Sequence, residues 1–113
     1  MCPSVQAFLR AVLANWFVCL ATWMAIGANS LISKIAGIYL TISAFVAIGL
    51  EHSVANMFII PLAMALGADI SASTYLLKNL LPVTLGNIVG GAIGVAAFYS
   101  YVYGTLGQKA QAA

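Results

Sequence analysis

Gly49-Leu50-Glu51-His52-Ser53-Val54-Ala55-Asn56-Met57-Phe58 sets an acid, an imidazole, a hydroxyl and an amide in the middle of an otherwise apolar run from Ile35 to Leu66. A single helix over that run would measure about 50 Å, against a bilayer hydrocarbon core of about 30 Å. Gly49 permits backbone angles that helices do not use, and Glu51-His52 is costly if turned to lipid. The run therefore reads as a broken crossing, with one half-helix to about Ile48, an irregular link, and a second half-helix from about Val54 through Pro61. Ser53 is the expected N-cap of the second half. Irregular backbone at membrane depth is tolerated where it is buried in protein or lines a cavity, and broken helices of this kind mark transport sites.

His52 falls at the mouth of the second half-helix. Desolvation and the positive end of the helix dipole both favour the neutral ring, and an arriving anion favours its protonation. The sequence thus points to a proton-sharing group beside an anion path; the plainer alternative is a buried histidine that only satisfies local hydrogen bonds. Glu51 is a chain neighbour rather than a same-face partner of His52. It is expected to brace the link, together with Ser53 and Asn56, by accepting backbone or amide hydrogens.

Composition places this run in a membrane. Of 113 residues 64% are hydrophobic and 5% charged, and mean hydropathy is +1.08, too little polar surface to solvate a globule. A net charge of +2 excludes the clustered basic footprint of a nucleic-acid binder. Cys2 and Cys19 lack the neighbours of a zinc site, and a single His cannot build a bis-histidine haem anchor, so no metal or cofactor is implied. Met1-Cys2-Pro3-Ser4 has neither the positive stretch nor the cleavage pattern of a signal peptide. His52-Ser53 is no catalytic dyad, because adjacent side chains do not aim at each other and no second base accompanies them; an enzyme is not indicated.

The first span is expected over about 7–26, with Arg10 near enough its start to snorkel to the interface and Trp16 and Trp23 as flanking aromatics. Asn15 sits inside the span, where an unpartnered amide costs about 1 to 3 kcal/mol. It is either an interhelical hydrogen-bonding residue or a donor lining a pore. Gly27-Ala28-Asn29-Ser30 is a helix stop, and residues 67–78 read as a surface loop holding at most a short helix capped by Asp69 or Ser71. A third span is expected over about 80–103, entered through Pro82. In it Gly86, Gly90 and Gly94 form a small-residue ridge for close helix packing, with Asn87 bonding across the interface. Tyr99, Tyr101 and Tyr103 form an aromatic belt, followed by a frayed tail at Gln108-Lys109-Ala110-Gln111.

Three blocks carry a family resemblance: Leu9-Arg10-Ala11-Val12-Leu13-Ala14-Asn15-Trp16 with Val18-Cys19-Leu20-Ala21, the stretch Gly49 to Phe58, and Asn79-Leu80-Leu81-Pro82-Val83-Thr84-Leu85-Gly86-Asn87-Ile88-Val89-Gly90-Gly91. In this order they resemble the formate/nitrite transporter family. The resemblance implies an all-α protein of the cell or plasma membrane, homopentameric, with one pore per protomer and six spans in two inverted, aquaporin-like halves. It implies transport of small monovalent acid anions, such as formate or nitrite, with protons. By position His52 is the family's central pore histidine, Asn15 its pore-facing asparagine, and Phe45 and Val18 the apolar residues that narrow the pore.

The resemblance covers only the family's fourth to sixth spans, so one wall of the pore is missing from this chain. A fragment of a longer product is the expectation, beside a separately encoded half or a remnant. The competing function is a non-transporting half-domain that assembles with other membrane chains.

Overall fold

A computed structural model describes residues 4–104; the tail at 108–111, with Lys109 and Cys2, lies outside the described residues. Four helices follow in order: α1 (Ser4–Gly27), α2 (Leu31–Ile48), α3 (Ser53–Ala65) and α4 (Ala72–Tyr103). α1, α2 and α4 are long and apolar enough to cross a membrane, and α3 is a shorter apolar helix. They form a slab of 58 × 35 × 17 Å.

The core of the slab is a seam of small residues. Ala7, Ala11 and Ala14 of α1 are fully buried and Ala21 nearly so, on one face at helical spacing, and Val83 of α4 is buried against Ala7 and Ala11. Opposite them the glycines of α4 leave no room for a side chain. A Cβ on Gly86 would run into the Phe8 carbonyl, one on Gly90 into the Val12 carbonyl, and one on Gly91 would lie 2.7 Å from Asn15 Nδ2. Gly94 takes the face of the Trp16 indole, 3.0 Å from where a Cβ would sit. Close backbone approach of this kind is how apolar helices associate where lipid removes the hydrophobic drive between them. Trp16 is therefore a mid-helix packing residue rather than an interfacial one. Trp23 does join the terminal aromatics, edge-on to Tyr99 at 4.7 Å and stacked on Tyr103 at 6.0 Å, whereas Tyr101 stays exposed.

α2 ends where expected, by a recognisable device. Gly49 is left-handed at φ 73°, its N–H donates to the Val46 carbonyl, and the Leu50 N–H donates to the Phe45 carbonyl. This pair of bonds is the Schellman closure, which needs a residue without Cβ strain at that position. α3 ends the same way: Gly67 at φ 95° donates to Met64 and Ala68 to Ala63.

The last helix departs from expectation. The loop shrinks to the few residues before Ala72, Ser71 caps the helix by accepting from the Thr74 N–H, and α4 starts well before Pro82. Proline inside a helix meets the carbonyl four residues back. Here the preceding turn, Leu76–Leu80, is wound wide, with Leu81 N–H reaching Leu76 O, so the helix passes through the proline. A second wide stretch covers Gly90–Ala97.

Candidate functional site: the break in the second crossing

The link from Gly49 to His52 is pinned chiefly by one side chain of another helix. Asn87 of α4 accepts the Ser53 N–H on its Oδ1 at 2.8 Å, and its Nδ2 donates to the Ala11 carbonyl at 2.8 Å and to the Glu51 carbonyl at 3.3 Å. Its own main-chain carbonyl accepts from Asn15 Nδ2 at 2.6 Å. One buried asparagine thus ties α1, the link and the start of α3 together. Each of these groups would be expensive to leave unpaired in an apolar setting.

Ser53 is not the N-cap. The helix begins one residue earlier than expected, with His52 at the cap in extended conformation (φ −125°, ψ 125°), its carbonyl accepting from Asn56 N–H, and no side-chain cap. The donor exposed at Ser53 is satisfied by Asn87 from across the bundle, so a local hydroxyl is not required. His52 itself is half-buried, and its ring lies 6.1 Å from that of the buried Phe45.

Below the link lies a second polar cluster. Glu51 Oε2 accepts from Asn56 Nδ2 at 2.6 Å and from Asn79 Nδ2 at 3.4 Å, and Asn56 Nδ2 also donates to Asn79 Oδ1 at 2.9 Å. Asn56 and Asn79 are 9% and 4% exposed, so the carboxylate is held by amides that water hardly reaches. Asn79 was not singled out from the sequence. The signal was there, an amide beside an apolar run, but it fell at the junction between the loop read over 67–78 and the span read from about 80.

The remaining site candidates are distributed around this centre. Asn15 is half-buried and donates to Asn87, so its nitrogen serves the helix interface; among the described residues no donor reaches its Oδ1. Val18 lies on α1 two residues after Trp16, half-buried, its carbonyl accepting from the Thr22 hydroxyl. Gly86, Gly90 and Gly94 lie on the seam already described. Arg10 does not reach for the interface: its Nη1 donates to the Gly49 carbonyl at 3.3 Å, at the break.

Residues 2–101 match the formate/nitrite transporter family. The chain belongs to this family. A probable formate transporter of Methanothermobacter thermautotrophicus is 59% identical over 98 residues, 87% of this chain and 35% of the relative. The formate channel FocA of Escherichia coli (strain K12) is 36% identical over 117 residues, 88% of this chain and 41% of the relative. Among solved structures, a pentameric formate channel with formate bound superposes with a TM-score of 0.80 at 37% identity, covering 90% of this chain and 47% of that one. The chain thus spans less than half the length of these relatives, and its slab is an all-α part of an integral membrane transporter fold.

Proposed function

We propose that this chain forms one wall of a pore for small monovalent acid anions, formate or nitrite among them, in a pentameric assembly completed by three further spans. His52 shares a proton with the anion in this pore. The observation that carries the reading is the placement of His52 at the N-terminal end of α3, on a link whose backbone is fixed by Asn87 and whose ring rests against Phe45. Family membership and the likeness to a formate-bound channel support it.

The physical step is charge removal. A bare anion in an apolar constriction loses its hydration at a cost of several kcal/mol. The dipole end of α3 and the donors near the link attract it, and its negative charge then stabilises a proton on the imidazole. A proton taken up from the entry-side solution charges the ring, and its transfer from the ring nitrogen to an oxygen of the anion leaves a neutral ring and a neutral acid, which crosses the apolar stretch. Asn15, Phe45 and Val18 are the wall on either side of the proton-exchange point in this proposal.

In proteoliposomes of the assembled protein, His52→Phe is expected to abolish pH-dependent formate uptake. Unchanged uptake sinks the proton-sharing role. A second reading takes these spans as a non-transporting assembly element, held together by the α1–α4 seam. On that reading the isolated chain inserts and oligomerises yet leaves liposomes no leakier to formate than empty ones.

A further inference from the structure

Arg10 is six residues into α1, about 9 Å along the helix, and its neighbour Ala11 lies level with the break through the Asn87 bond. Its guanidinium is thus at the depth of the link. Of its five N–H donors one is engaged, by the Gly49 carbonyl, and among the described residues this is its one hydrogen bond. The acid closest in the chain to that carbonyl, Glu51, is occupied by Asn56 and Asn79. A permanent cation at membrane depth is costly without a counter-charge, and here the protein's nearby carboxylate is committed elsewhere. Gly49 O is a neutral acceptor at 3.3 Å; a carboxylate is a stronger one, and a guanidinium fork matches its two oxygens in plane.

We propose that Arg10 is an anion-binding and selectivity residue of the transport path, holding the two oxygens of a planar anion beside the break before proton exchange at His52. The Gly49 carbonyl acts as its tether, fixing the guanidinium at the link while its remaining donors serve the anion. The proposal rests on the functional reading above and predicts a preference for planar, two-oxygen anions over spherical ones.

The test is 13C-formate binding to the assembled protein in detergent, read by titration and by the infrared carboxylate stretch, beside uptake into proteoliposomes. R10Q keeps a donor for Gly49 but loses the charge and is expected to weaken formate binding about tenfold. R10K keeps the charge but not the fork; it is expected to weaken binding less and to lose the band shift of bidentate contact. His52→Phe is expected to remove the pH dependence of uptake, and R10K to leave that pH dependence in place while the band shift is lost, so failure of the proton-sharing role and failure of the Arg10 role are separately visible. Unchanged formate affinity in R10Q, as when Arg10 pairs with a carboxylate elsewhere in the assembly, overturns the proposal. So does an R10K variant that matches the parent in affinity and band position.

Discussion

The α1–α4 seam and the half-helix α3 are held by opposite means. The seam is close approach at glycines, Gly86 and Gly90 against the Phe8 and Val12 main chain and Gly91 and Gly94 against the Asn15 and Trp16 side chains, with Asn15 and Asn87 as its polar crossing points. α3 buries one side chain, Asn56, and leaves Val54, Met57, Phe58, Ile59 and Leu62 exposed. It is fixed at its N-terminal end by Asn87 and by the Glu51–Asn56–Asn79 cluster. Van der Waals fit makes the scaffold rigid; a few amides orient the element that carries the chemistry. The two regions should therefore fail differently when altered.

The largest effect is expected on the seam. Gly90→Val drives a branched side chain into the Val12 backbone and should cost more than about 4 kcal/mol, enough to abolish assembly. The check is the yield of oligomer on size exclusion. A normal oligomer would mean that the seam can slide apart, and the contrast with α3 would dissolve.

Next comes the polar anchor. Asn87→Leu leaves the Ser53 N–H and the Ala11 and Glu51 carbonyls without this partner, at about 1–3 kcal/mol for each group that water cannot reach. The oligomer should survive with a lowered melting temperature, and hydrogen exchange should rise at residues 49–56 while α1 stays protected. Equal loss of protection in both would show that seam and anchor are a single unit.

The smallest effects sharpen the same comparison at glycines outside the seam. Gly49→Ala meets no atom within 4 Å, so its cost is conformational alone, about 1–2 kcal/mol for a left-handed residue. Gly27→Ala, also in open space and without a positive φ, should change the melting temperature hardly at all. If both glycines behave alike in thermal melts, the left-handed closure of α2 contributes nothing.

The break was readable because length and chemistry agreed: the run from Ile35 to Leu66 was too long for one crossing, and Gly49 and Glu51-His52 marked the place. The glycine ridge was readable from its spacing. What escaped notice depended on three-dimensional partners. Ser53 looked like a cap because it has a hydroxyl, yet the acceptor came from Asn87, 34 residues away. Pro82 looked like a helix start, since nothing local announces that the turn before it is wound wide; that reading left Asn79 just ahead of the span and concealed the partner of Glu51. Arg10 looked like an interfacial anchor because snorkelling needs no partner, whereas a bond to Gly49 can be known only once the chain has folded back.

The Asn87 side chain also imposes an order of events. It sits on a helix synthesised after the second crossing, yet it supplies the acceptor for Ser53 and a donor for Glu51 in that crossing. Until α4 docks on α1, the Ser53 N–H and the Glu51 carbonyl lack this partner, and the link is held by the Gly49 closure of α2 and the Arg10 bond from α1. The interruption in the second crossing is thus a late feature of biogenesis, completed by a helix that arrives after the segment it interrupts.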